Sequence, residues 1–215
     1  MSKNIFTKPN IFIVVGPPGS GKETQADKLE EFLLKDNPSL KVIRNDNGTL
    51  LREAIENPSY TEHMRGKIKE SVLIKGESVP GAIATDMMVQ TLFKKNDGKS
   101  HIIFEGILRK ENELLKYNEL MHYVMPESHR YFIRLGASDN VLEQRLLSRK
   151  GKDGLKRPDD NHEVIKNRIN VYRIKTDLVA EALKDNPDYI FLHIDATPAI
   201  EKVHKNIVEA ITLRA

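Results

Sequence analysis

The chain contains no cysteine and no tryptophan, little aromatic side chain of any kind (6%), and no long apolar run. Each shortage excludes something. Without cysteine there is neither a disulfide framework nor a thiolate zinc site. Ile11–Val15, the longest apolar stretch, falls far short of the roughly 20 residues that span a bilayer. The first ten residues, MSKNIFTKPN, lack the apolar run of a signal peptide. With no leader and no cysteine, a cytoplasmic address is expected. Charge of one sign is not in excess either: 34 basic against 31 acidic residues give a net charge of +3. That net charge is too weak to argue for nucleic acid by itself, and a milder reading is a local basic cleft facing a polyphosphate. The seven histidines are scattered, with no H-x-x-x-H pair to grip a metal.

What is present suits a globular α/β protein. Its 215 residues fit one domain with small inserted subdomains, and 39% apolar content is enough for a core. Asn10 to Val15 is a short β-branched run of the kind buried on both faces of a sheet. Further strands are expected at 41–44, 101–105, 130–135 and 189–194. Helical patterns cover 21–34, 47–56, 61–75, 80–95, 111–121, 139–150, 160–184 and 198–213. Strands that alternate with helices predict a parallel sheet covered on both faces. The polar segment 150–156 carries two glycines and reads as a mobile loop.

The first strand runs into Gly16-Pro17-Pro18-Gly19-Ser20-Gly21-Lys22, which fits G-x-x-x-x-G-K between a strand and a helix. Glycines let backbone N–H groups curl around phosphate oxygens, and the helix that follows presents its positive end to the anion. Lys22 can then reach the β- and γ-phosphates. The next residue is Glu23, where most such loops carry a magnesium-binding hydroxyl; Thr24 follows one place later.

The segment GPPGSGKETQADKL resembles the P-loop of adenylate kinases and the related UMP/CMP kinases, whose usual pattern is GxPGxGKGTQ. The resemblance runs on along nearly the whole chain. Asp46-Asn47-Gly48-Thr49-Leu50-Leu51-Arg52 is similar to the family's S-T-G-D-L-L-R, and Glu105-Gly106-Ile107-Leu108-Arg109 to its D-G-F-P-R. Arg145 and Arg149 match R-x-x-x-R on one helix face, and Arg157-Pro158-Asp159-Asp160 with Arg168 eleven residues after Arg157 matches the lid signature. The chain departs from the family at Glu23, Asp46, Asn47, Thr49, Glu105, Ile107 and Leu108.

This resemblance implies a three-layer P-loop fold with a five-stranded parallel sheet in the order 2-3-1-4-5. It implies one nucleoside monophosphate kinase domain with an acceptor-binding insert at about 46–75 and a short lid at about 149–158. It implies transfer of the ATP γ-phosphoryl group to AMP, with Mg²⁺ held through water by Glu105. By the same resemblance Gly19, Ser20, Gly21, Lys22, Glu23, Thr24, Arg145, Arg149 and Pro198 contact ATP. Asn47, Arg52, Glu77, Ser78, Val79, Gly106, Ile107, Leu108, Arg109, Glu113, Arg157 and Arg168 contact the acceptor. Lys22, Arg109, Arg149, Arg157 and Arg168 carry the catalysis. A monomer without nucleic-acid or membrane partners is expected.

The chemistry asks for such a set. Phosphoryl transfer between two nucleotides crowds negative charge into one place, and catalysis is positioning plus charge neutralisation. The arginine fork binds phosphate with two parallel hydrogen bonds. A lone arginine is ordinarily a solvated surface charge; six at these spacings argue for a phosphate-binding set. Asp159 and Asp160 fit two roles equally, as first-turn acids of a long helix or as a lid hinge.

The acceptor base is less determined. The family's adenine-reading threonine and glutamine correspond to Asn47 and Glu113. An ionised carboxylate only accepts hydrogen bonds, which suits the two adjacent donors of guanine better than adenine. Kinases for GMP, UMP or CMP, and a nucleotide sensor with little turnover, are the alternative readings.

Overall fold

A computed structural model describes residues 4–150, 154 and 160–215. β1 (Ile11–Val15) lies at the centre of a five-stranded parallel sheet in the order β2-β3-β1-β4-β5. Its neighbours are β3 (Ser100–Glu105) and β4 (Arg130–Gly136), with β2 (Lys41–Asp46) and β5 (Ile190–Asp195) at the edges.

Side chains alternate faces along a strand. In β1, Ile11, Ile13 and Val15 enter one core cluster, with Phe104, Tyr117, Met121 and Leu183. Phe12 and Val14 enter the other, with Leu29, Leu33, Tyr131, Val203 and Ile207. Both faces are covered, so the strand reads as an unbroken apolar run. The first face is packed by α4 (Gly81–Lys95), α5 (Glu111–Val124) and α8 (Asp177–Leu183), the second by α1 (Lys22–Asp36) and α9 (Ile200–Thr212). Removing each such large side chain from water contributes roughly 2 kcal/mol.

Two smaller clusters stand beyond the sheet. Leu51, Ala54, Ile55, Ile68, Val79 and Met87 join α2 (Asn47–Glu56), α3 (Glu62–Lys69) and α4. Leu142, Leu146, Ile165 and Ile169 join α6 (Asp139–Ser148) to α7 (His162–Val171).

The helix expected at 61–75 ends in a π-helical turn, Glu70–Ile74, and the one expected at 160–184 is interrupted by another, Tyr172–Thr176. The N–H of Lys75 bonds the carbonyl of Glu70, and that of Asp177 the carbonyl of Tyr172, each five residues back. In the second case the wider turn keeps Tyr172, Thr176 and Val179 all buried. Periodicity at 3.6 residues cannot register such an insertion. β2 also runs two residues further than expected, to Asp46, because its backbone pairs with β3 up to Glu105 although Asn45 and Asp46 are polar.

Candidate active site

The C-terminal ends of β1, β2 and β3 open into one cleft, the usual ligand position in a parallel α/β sheet. The loop from Gly16 to Gly21 forms its floor. Gly19 has φ +82°, and a Cβ there would stand 2.8 Å from the carbonyl oxygen of Leu142. Only glycine allows both the left-handed backbone and the close approach of α6.

Lys22 opens α1 and folds back over the loop, donating from Nζ to the carbonyls of Gly16 (2.8 Å) and Pro17 (3.0 Å). Burial pushes its ammonium down to about 7. The charges of Arg109 and Arg168 push the same way, and Glu105 and Asp46 oppose them. A cation held this close to other cations is a site that an anion would relieve.

The second wall follows β2. Asp46 caps α2, accepting from the N–H groups of Gly48 (2.9 Å) and Thr49 (3.1 Å). This turns the helix N-terminus, with Asn47 and Arg52, toward the cleft. Asn47 is buried and donates from Nδ2 to the carbonyl of Ala84 at 3.0 Å.

The third wall follows β3. Glu105 is 3% exposed and pairs with Arg44. Burial raises the Glu105 carboxyl above its ordinary range, with Arg44 opposing. In the turn that follows, Leu108 is buried at φ 54°, a left-handed backbone that costs roughly 1–2 kcal/mol outside glycine. The turn sets Arg109 in the cleft. The N–H of Arg109 donates to Glu113 Oε2 at 2.8 Å. Burial raises the Glu113 carboxyl, and this hydrogen bond and the charge of Arg109 pull it back.

The fourth wall comes from α6 and α7. Arg149 donates to both oxygens of the buried Asp160, from Nη2 at 2.8 Å and Nε at 2.9 Å. Arg168 Nη1 stands 3.6 Å from the same carboxylate. Arg145 donates to the carbonyls of Ala196 (2.8 Å) and Thr197 (3.0 Å), just ahead of Pro198.

Gly19, Gly21, Lys22, Glu23, Thr24, Asn47, Arg52, Glu77, Ser78, Val79, Glu105, Gly106, Ile107, Arg109, Glu113, Arg145, Arg149 and Arg168 all line this one cleft. Ser20 is buried behind the loop, Leu108 in the core, and Pro198 follows β5. Arg157 lies outside the described residues. Asp46 was not among the expected site residues, although as an acid directly ahead of a helical pattern it was recognisable as a cap. Arg44 was not recognisable, because Asp27, Glu30 and Glu105, which it binds, are dispersed along the chain.

A parallel sheet in this order, with a glycine loop between its central strand and α1 and a half-buried lysine at the start of that helix, defines a P-loop nucleotide-binding protein. The adenylate kinase family model matches residues 14–187. An adenylate kinase of Azobacteroides pseudotrichonymphae is 31% identical over 200 residues, covering 92% of this chain and 95% of the relative. Adenylate kinase 1 of a Nostoc species is 31% identical over 183 residues, covering 85% and 89%. An adenylate kinase of Pseudarthrobacter chlorophenolicus is 28% identical over 205 residues, covering 93% and 95%. The chain belongs to the adenylate kinase family, and is thus an enzyme of the nucleoside monophosphate kinase class.

Proposed function

We propose that this chain moves the γ-phosphoryl group of ATP to AMP, giving two ADP. The observation that carries the reading is the gathering of Lys22, Arg52, Arg109, Arg145, Arg149 and Arg168 around one cleft. The relatives named adenylate kinase supply the acceptor. In this reading an α-phosphate oxygen of AMP attacks the γ-phosphorus while the bond to the β–γ bridging oxygen breaks. Lys22 and the P-loop backbone hold the β- and γ-phosphates. Arg52 and Arg109 hold the acceptor phosphate. Arg149 and Arg168, joined by Arg157 from the lid segment, neutralise the group in flight. Arg145 orients the donor against the turn after β5. Residues 46–75 act as the acceptor-binding insert and 149–158 as the lid.

Mg²⁺ fits the residues present. Among the described residues no cluster of three acidic, histidine or cysteine side chains could hold a metal alone. Glu105, one hard oxygen donor in the cleft, suits an ion that keeps most of its waters and takes its other ligands from phosphate. Bound there, Mg²⁺ would neutralise charge on the transferring phosphates. Among the described residues no helix is long and apolar enough to cross a membrane. A cytoplasmic monomer accords with this reading.

The test is ADP formation from ATP, Mg²⁺ and each nucleoside monophosphate in turn. Turnover with AMP that is lost in Lys22→Ala and Arg109→Ala is expected. ATP binding without turnover on any acceptor would replace this reading with that of a sensor.

A further inference from the structure

Arg44 lies on edge strand β2, outside every pattern that marks the cleft. In the sheet it pairs with Ile103, two residues before Glu105. Its guanidinium is shared among three carboxylates. Nη2 pairs with Oε1 of Glu105, while Nη1 donates to Asp27 Oδ1 at 2.8 Å and Glu30 Oε2 at 3.1 Å. Asp27 and Glu30 belong to α1, the helix that begins at Lys22. The Arg44 side chain is 22% exposed and that of Glu105 3%. The first contact is therefore largely shielded from water, whereas the Asp27 side chain is 56% exposed.

The two sets of contacts do different things. Asp27 and Glu30 tie the edge strand to α1, which is a structural link. The Glu105 contact fixes the carboxylate of a side chain with three rotatable bonds. An unrestrained glutamate samples several rotamers, and freezing them costs free energy whenever one orientation is required. A charge-assisted hydrogen bond to one oxygen removes that freedom in advance.

We propose that Arg44 is the positioning residue for Glu105: it holds Oε1 so that Oε2 is aimed at the cation that accompanies the nucleotide phosphates. The proposal rests on the reading of Glu105 as the water-mediated partner of Mg²⁺. Arg44 touches neither nucleotide nor metal and acts through Glu105 alone.

Calorimetric titration of the full chain with the β,γ-imido analogue of ATP, with and without Mg²⁺, gives the factor by which the metal tightens binding. That factor is expected to fall about tenfold in Arg44→Gln, the usual scale for loss of a partner that orients a metal ligand. Glu105→Gln should lower it similarly, and the double variant no further. Metal-free affinity should stay within twofold. Asp27→Asn with Glu30→Gln, which cuts only the tie to α1, should lower the melting temperature and leave the factor unchanged. Arg44→Lys keeps the charge without the fork; it should lower the factor less than Arg44→Gln, and it replaces that variant if Arg44→Gln does not fold. A wild-type factor in the Arg44 variants alongside a reduced one in Glu105→Gln overturns the proposal and leaves the metal reading of Glu105 standing. A further loss in the double variant overturns it too, since Arg44 would then act by another route. If Mg²⁺ does not tighten binding to the wild type, or Glu105→Gln leaves the factor intact, the metal reading fails and the proposal falls with it.

Discussion

Asp160 and Arg149 are joined by two parallel hydrogen bonds, 2.8 and 2.9 Å long, with the carboxylate fully buried. The guanidinium of Arg168 stands 3.6 Å from the same carboxylate. One acid therefore holds two cations of the cleft in place and separates them electrostatically. Asp160→Asn would keep the shape and remove the charge, leaving two guanidiniums side by side. Stability should drop by about 1–3 kcal/mol, the range for a lost charge-assisted contact. Misplacing the two arginines should lower kcat/KM by roughly ten- to a hundredfold. Denaturant titration and steady-state kinetics check both; catalysis within twofold of wild type would mean that these arginines do not need Asp160.

Lys22 predicts a proton. Its ammonium is pushed from 10.5 down to about 7, chiefly by burial. At pH 8 most of the ligand-free protein therefore carries a neutral amine. Phosphate beside it favours the charged form, so nucleotide binding should take up a proton above pH 7, and affinity should weaken as pH rises. The sign for folding follows from the same shift. Between about pH 7 and 10.5 the unfolded chain binds more protons than the folded one, so Lys22's contribution to ligand-free stability rises with pH there. Calorimetry at pH 8 in two buffers of different ionisation enthalpy measures the uptake, which should vanish in Lys22→Met. Equal heats in both buffers would contradict the prediction.

The sheet order came from the family resemblance, whereas the central strand and the phosphate loop were readable in the residues themselves. Ile11–Val15 announces itself because both faces of β1 are buried, and the glycine loop because its geometry tolerates little else. The arginines were found through the family resemblance, whose motifs they match in spacing. What stayed hidden depends on distant partners. Arg44 meets Glu105 only after β2 pairs with β3, and the π-helical turns at 70–74 and 172–176 follow from tertiary packing that no local period encodes. Asp160 was read as a first-turn acid or a lid hinge; it instead precedes Asn161, the cap of α7, and holds Arg149, a role that exists only once α6 and α7 pack together through Leu146 and Ile165.

Glu113 bears on the choice of acceptor. It lines the cleft beside Asn47, buried, with Oε2 already taken by the N–H of Arg109. Ionised, its remaining oxygen can only accept. A glutamine there would keep an oxygen for Arg109 and add a donor for the ring nitrogen of adenine. Glu113→Gln should therefore raise kcat/KM for AMP relative to GMP, by roughly the tenfold that one hydrogen bond allows. An unchanged ratio between the two acceptors would remove Glu113 from base recognition.

Gly76 and Gly66 make a matched pair of alanine substitutions with opposite expected signs. Gly76 follows the first π-helical turn with φ +64°, and a Cβ there would meet Arg168 Cγ at 2.7 Å and the carbonyl oxygen of Val164 at 3.1 Å. Asn167 donates to the carbonyl of Lys75 at 2.5 Å, so this segment is pinned directly onto α7. Alanine at 76 strains the backbone by about 1–2 kcal/mol and displaces the arginine that α7 presents to the cleft. Gly66 lies exposed within α3, and a Cβ there meets nothing within 4 Å. Alanine at 66 should stabilise by up to about 1 kcal/mol through helix propensity and leave kinetics alone. Gly76→Ala should lower both the melting temperature and kcat. A Gly76→Ala protein with lowered melting temperature and wild-type kcat would separate the strain from the arginine, and would show that α7 tolerates a shift without losing its hold on Arg168.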